Sequence, residues 1–421
     1  MDITFTTLGA LIGLVIAIVL IIRQVHPAYS LILGALIGGL IGGGGLEGTV
    51  STMVSGAGSM MSSVLRILTS GILAGALIKT GSAEKIADTI VTKLGEKRAV
   101  AAISIATMII CAVGVFIDIS VITVAPIALS IGKKTNLSKP GVLLAMIGGG
   151  KAGNIISPNP NTIAASEGFG VDLTSLMMKN IIPALFALIV TIVLAGVLAK
   201  KQNGERIADA DAEVSGQGEL PNFFAAILGP LVVIILLGLR PIAGIAIDPL
   251  IALPVGGLVS ILVTKNARHT ISFMEFGLSK VVGVSILLVG TGTIAGIIKA
   301  SNLQADVITL LDAMHMPSFI LAPLAGVLMA GATASTTAGA TVASQTFSSA
   351  LLESGVPALS AAAMIHAGAT VIDSLPHGSF FHATGGAVNM QIKQRMRLIP
   401  FEAIIGLTST LVAVAVYLIA G

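Results

Sequence analysis

Apolar residues run along this chain in blocks, and the blocks differ in what interrupts them. Leu8 to Ile22 with its flanks, Asn180 to Ala199 and Phe401 to Ala420 are apolar on all sides, and each approaches the roughly 20 residues that cross a hydrocarbon layer about 30 Å thick. Residues 82–96 place polar and apolar side chains on opposite helical faces, the pattern of a helix lying at an interface. Residues 151–168, KAGNIISPNPNTIAASEG, set a lysine, three asparagines, two prolines and a glutamate between apolar blocks. Such a stretch does not stay helical, and unpaired backbone at membrane depth persists only against protein or a water-filled cavity. The pattern predicts an interrupted helix over about 140–167, broken at 154–161, and a second over about 358–384, broken in VIDSLPHGS (371–379).

Composition agrees, with 55% hydrophobic and 10% charged residues, and leaves little room for a soluble domain. The expectation is an all-α polytopic membrane protein with about ten spanning helices. Asp2 stands where a signal peptide would be basic, so the first apolar run reads as a retained helix. Cys111 is the only cysteine, which excludes an intramolecular disulfide and a thiolate metal set. The net charge of +3 comes from basic residues spread over short loops, so it reports topology and gives no sign of a nucleic-acid partner.

Placing Arg23, Lys93, Lys97, Arg98, Lys133, Lys134, Lys139, Lys200, Lys201, Arg206, Lys265, Arg268, Lys393, Arg395 and Arg397 on the cytoplasmic side satisfies the positive-inside rule with one orientation, both termini external. Residues 99–132 then start and finish on the same side and are expected to form a re-entrant hairpin whose tip is GVFIDISVITVAP (114–126), with Asp118 near the midpoint.

The second half repeats the first. With a shift of 218, the AMI at 145–147 meets that at 363–365, Pro158 meets Pro376, Ser166 meets Thr384 and Gly168 meets Gly386. The charge count makes the second copy upside down, with a hairpin at about 318–352. Residues 1–200 and 222–421 thus read as two inverted-topology repeats joined by a cytoplasmic linker, 201–221. Paired hairpins and interrupted helices belong to secondary transporters, whose half-helix ends face substrate and ions at midplane.

The candidate substrate contacts lie at the tips and breaks: Ser120 and Thr123; Lys151, Asn154, Ser157, Asn159, Asn161 and Thr162; Ser335, Thr336 and Thr337; Ser374, His377 and Ser379. Hydroxyls and amides beside small residues can ligate an anion or a sodium ion, although the same residues also serve helix packing. Ionisable groups at depth are functional candidates. Asp118, Asp373, His366 and His377 are read as proton-coupling groups. A sodium site near Asn154, Asn159 and Asp373 is the alternative. Lys151 either faces a substrate carboxylate or neutralises Asp118 or Asp373. Glu167 and Arg66 fall in the cavity or at an interface, and His382 completes the histidines of the second break.

Three segments carry a resemblance: GSAEKIADTIVTKLGEKRA (81–99), VGVFIDISVITVAPIAL (113–129) and IISPNPNTIAASEGFGVDL (155–173). They are similar to the gluconate permease family of organic-anion symporters within the ion transporter superfamily. The resemblance implies a homodimer in the bacterial inner membrane, without cofactor, in which a mobile unit carries substrate past a fixed scaffold in an elevator movement. Asp118 stands where that family has a glutamate. SPNPN has Asn159 at a histidine position of the family, and DSLPHGSFF replaces an Asn-Asp-Ser-Gly type run, so the expected substrate is broader than gluconate: a sugar acid, hydroxy acid or dicarboxylate. The expected function is import of a small organic anion coupled to protons, with sodium as the alternative ion. A membrane-embedded hydrolase and a passive channel are the other classes. Against the hydrolase, no His-Glu-x-x-His, Gly-x-Ser-x-Gly or phosphate-loop motif occurs.

Overall fold

The computed structural model describes residues 4–200, 206–208, 219–313 and 316–420; most of the expected linker 201–221 lies outside the described residues. The described residues are helical, with no strand among them. Among the described residues, five helices are long and apolar enough to cross a membrane, and five shorter apolar helices accompany them.

One group of helices is held by glycine contacts. α1 (Thr7–Ile22) and α2 (Pro27–Ile41) pack so closely that a Cβ on Gly13 would lie 2.5 Å from the Gly34 carbonyl oxygen. α3 (Gly45–Ser59) and α4 (Met61–Lys79) follow end to end across Met60. Both lie along the 30-residue α14 (Thr270–Lys299), which also borders α2. A Cβ on Gly56 would meet the Gly292 oxygen at 2.2 Å, and one on Gly277 would meet the Gly71 oxygen at 1.9 Å. Small residues let helix backbones approach where apolar burial gives no driving force. α12 (Phe223–Ala243) and α13 (Pro249–Val263) complete this group, with α13 against α4.

The second group is built from split elements. α5 (Ser82–Leu94) precedes α6 (Ala99–Ala112) and α7 (Ile117–Lys134), which are joined by residues 113–116. The turn is therefore shorter than a tip spanning 114–126; most of that stretch is helix, and Asp118 sits in the first turn of α7. Gly114, at φ +110°, makes the reversal. α8 (Lys139–Asn154) ends at the predicted break, and α9 (Pro160–Phe169) begins after it. α10 (Leu173–Lys179) and α11 (Ile181–Lys200) follow.

The same order of elements recurs after α14. α15 (Leu303–Ala313) is followed by α16 (Leu321–Thr333) and α17 (Thr336–Glu353), joined through Ala334 and Ser335. α18 (Ala358–Gly368) and α19 (Ser379–Gly386) flank residues 369–378. α20 (Ile392–Met396) and α21 (Ile399–Ala420) close the series. The run α4 to α11 thus matches α14 to α21 element by element. Packing does not follow the two halves of the chain: α8 packs on α6, α7 and α11, α18 on α16, α17 and α21, and α9 crosses between them to touch both α17 and α18.

Candidate functional site

Between these two groups lies a cavity of about 370 Å³, at the small end of the roughly 300–1,000 Å³ that ligand pockets span. One wall is α14, with Lys280, Gly283, Val284 and Leu287, together with His26 and Pro27 at the start of α2. The other wall is made of helix beginnings: Phe116 to Ile119 at α7, Asn159 to Asn161 at α9, Ala334 to Thr337 at α17, and Ser379 and Phe380 at α19. Four helices therefore present their first turns to one space. Each brings a partial positive charge of about half a unit, although α9 starts on Pro160 with its next two amides taken by the Asn159 cap, and Ser335 accepts from the Ala338 amide of α17.

Why the chain folds this way locally is visible in the breaks. At the first, Pro158 and Pro160 remove backbone donors, and Asn159 caps α9 by accepting from the Asn161 and Thr162 amides at 3.0 and 3.2 Å. The Thr162 hydroxyl donates to the same oxygen at 3.3 Å. Asn159 Nδ2 donates to Asn154 Oδ1 at 2.6 Å and to its carbonyl at 3.0 Å, and Asn161 Nδ2 donates to Asn154 Oδ1 at 2.8 Å. Asn180 Nδ2 holds the Ile155 carbonyl at 3.2 Å. The Asn154 Nδ2 is left without a partner, although the residue is 1% exposed and lines the cavity.

The second break carries charge. Lys151 Nζ pairs with Asp373 Oδ1 and donates to the Thr370 carbonyl at 2.5 Å, both side chains being buried. Thr336, first residue of α17, donates to Asp373 Oδ2 at 2.5 Å, and Ser374 donates to Oδ1 at 3.1 Å. Thr337 donates to Asn161 Oδ1, joining the second tip to the first break. Ala334 at that tip holds φ +46°, and a Cβ on Gly378 would stand 2.3 Å from its carbonyl oxygen, so tip and break are in backbone contact.

Of the residues singled out from sequence, Asp118, Asn154, Asn159, Asn161, Ser335, Thr336, Thr337, Asp373 and Ser379 line the cavity. Lys151 and Ser374 sit behind Asp373. The others do not line it. Ser120 is buried and donates to the Val115 carbonyl at 3.4 Å, Thr123 lies on the next turn of α7, Ser157 is buried with its hydroxyl unpartnered, and Thr162 braces the cap. His366 is fully buried in α18 with both ring nitrogens unpartnered. His377 Nε2 is 3.2 Å from the Ala332 carbonyl, and His382 Nε2 is 2.8 Å from that of Pro376.

The sequence reading missed Lys280 and His26. Lys280 carried a signal, a lysine inside the long apolar run that became α14; His26, the residue before Pro27, carried none. Asp118 takes backbone hydrogen bonds from its own turn and feels the charge of Lys280, but makes no salt bridge among the described residues. A further ion pair joins Arg395 and Glu402, both 1% exposed. Arg395, read from sequence as a loop charge, also reaches the Thr384 hydroxyl at 3.3 Å, tying α19 to α21.

Away from the cavity, Arg66 meets Glu167 at 2.5 Å and Asp248 at 2.6 Å. Glu167 lies at the far end of α9 from Asn159, so this contact ties the broken helix to α4 and to the loop before α13. Asp172, the cap of α10, meets Arg240 at 2.6 Å.

The profile of the GntP family permeases matches residues 5–420. The chain belongs to the GntP permease family. An uncharacterized transporter of Haemophilus influenzae is 54% identical over 414 residues, 98% of each chain. The D-serine transporter DsdX of Escherichia coli K12 is 24% identical over 356 residues, covering 78% of this chain and 79% of its own. The structure of the Alcanivorax borkumensis YdaH transporter superposes with a TM-score of 0.65 at 14% identity, covering 89% of this chain and 88% of that one, a likeness of fold. This GntP permease is accordingly a transporter and not an enzyme.

Proposed function

We propose that the protein imports a small organic anion, a sugar acid, hydroxy acid or related carboxylate, in symport with protons across the bacterial inner membrane. The convergence of four helix beginnings on one wall of a small cavity carries this reading, since an anion there faces their positive dipole ends. The unpartnered Asn154 amide adds a donor, and Lys280 adds a full positive charge on the opposite wall. Gluconate, which names the family this chain resembles, and D-serine, which names the Escherichia coli relative, both carry a carboxylate beside a polar carbon. That shared feature is what the helix dipole ends, the Asn154 amide and Lys280 would hold.

Proton coupling rests on the two cavity acids. Asp373 is neutralised by Lys151, which leaves Asp118 as the acid able to take up and release a proton. For sodium at the first break, the Asn154 and Asn159 side-chain oxygens already accept two and three donors respectively, which favours the proton. The matching run of elements supports two inverted repeats with re-entrant hairpins at α6–α7 and α16–α17; the elevator movement in a homodimer is carried over from the family resemblance. On the basic-loop assignment, with external termini, the cavity-lining His26 lies beside the cytoplasmic Arg23, which favours a site facing the cytoplasm.

Uptake of labelled small carboxylates into proteoliposomes, with pH and sodium gradients imposed separately, tests the proposal. The expected result is accumulation driven by the pH gradient alone. A strict sodium requirement would remove the proton from the mechanism, and absence of uptake for every carboxylate would remove the substrate class.

A further inference from the structure

We infer that the Lys151 ammonium is a tethered cation, filling at the second break the position that a free coupling ion would otherwise occupy. The inference rests on the transporter reading above and specifies that its second break is closed to a mobile cation. The ammonium touches the carboxylate oxygen of Asp373 and the carbonyl of Thr370, just past the last turn of α18. A carboxylate beside the carbonyl end of a half-helix is the oxygen set that holds sodium in broken-helix transporters. Thr336 and Ser374 orient the same carboxylate, and Lys151 and Asp373 are 2% and 1% exposed. No oxygen of Asp373 remains without a donor.

The asymmetry between the halves supports the assignment. At the shift of 218, Lys151 falls on Ala369 and Asp118 falls on Thr336. The second half therefore has no lysine to return the contact, and its hairpin offers a hydroxyl where the first offers an acid. The second break is closed by a charge that belongs to the chain, while the first-half hairpin carries an acid that has no buried cation. Because Lys151 rides on α8 while Asp373 and Thr370 lie between α18 and α19, the same contact also locks the two interrupted helices into one body. A tethered side chain cannot leave the site, so no free cation would exchange at the second break during the cycle.

Lys151→Ala removes the ammonium and leaves the oxygens. The purified variant should gain thermal stability with sodium or methylammonium, Tm rising with the logarithm of concentration as a bound ligand requires, relative to choline at equal ionic strength. Wild-type Tm should show no such rise. Lys151→Ala/Asp373→Asn, which removes both charges, should fold and be insensitive to the cation, and it guards against a single variant too unstable to read. A Lys151→Ala variant indifferent to sodium and methylammonium would overturn the inference, as would a sodium-dependent rise in the wild type that the double variant retains. The assay contains no substrate, so its outcome is separate from that of the uptake experiment.

Discussion

Asp118 and Asp373 have the same chemistry in different company, and that difference sets what each can do. Asp373 is held by an ammonium and two hydroxyls, so all of its oxygens are engaged inside the protein. Asp118 faces the cavity without such a partner. Asp118→Asn should abolish accumulation driven by a pH gradient while leaving the detergent-solubilised protein folded; unchanged uphill uptake would take Asp118 out of coupling. Thr336→Val removes a hydrogen bond to a charged group, which typically contributes about 1.5–3 kcal/mol, and should lower Tm and weaken substrate binding together. Most cavity-lining polar residues were legible in the sequence, because Asn, Ser, Thr and Asp at a Pro-rich break have few reasons to be there. His366 was not distinguishable from them by residue type, and only its packing inside α18 separates it from the cavity.

At the scale of elements, the interrupted helices depend on caps more than on apolar burial. Asn159 both starts α9 and fixes the end of α8 through Asn154. Asn159→Ala should cost about 1 kcal/mol from the cap alone and raise the KM for uptake, since Asn154 and Asn161 lose their common brace; a variant with wild-type KM would show that the brace does not reach the substrate. The long pair α4 and α14 depends on small residues. A side chain at Gly277 would drive into the Gly71 carbonyl, and Gly277→Leu should lower Tm and yield far more than an exposed substitution such as Leu278→Ala on the same helix. The breaks were readable from prolines, which act locally. The turn at 113–116 was placed too broadly, because apolar residues near Asp118 serve a helix as well as a loop.

Over the whole molecule, the cavity and the Arg66 cluster sit at opposite ends of α9, and the cluster joins that helix to α4. Arg66 holds the Asp248 carboxyl below its ordinary value, chiefly through their hydrogen bond. A group depressed in this way contributes stability that is full above its unfolded value, near pH 4, and is lost as pH falls through the folded value. The Tm difference between wild type and Arg66→Gln should therefore stay constant from neutral pH down to about pH 5 and shrink below about pH 4. A difference that peaked near pH 4 and vanished at neutral pH would contradict the assignment. If the broken-helix unit moves against α4, Arg66→Gln should also change the rate of exchange across the membrane while leaving substrate affinity in the cavity unchanged.

The sequence by itself determined the membrane class, the places where helices stop, and the recurrence of one order of elements, because hydropathy, proline and cap residues act over a few neighbours. Only the tertiary structure decided which charges meet. Lys151 and Asp373 are 222 residues apart, and nothing local in either segment chooses between a substrate carboxylate, Asp118 and Asp373 as the partner of that lysine. The same holds for Lys280, which spacing places on an apolar helix and which packing alone brings to the cavity wall. Long-range pairing in a low-dielectric interior is set by how the helices pack, and that is a property of the whole chain.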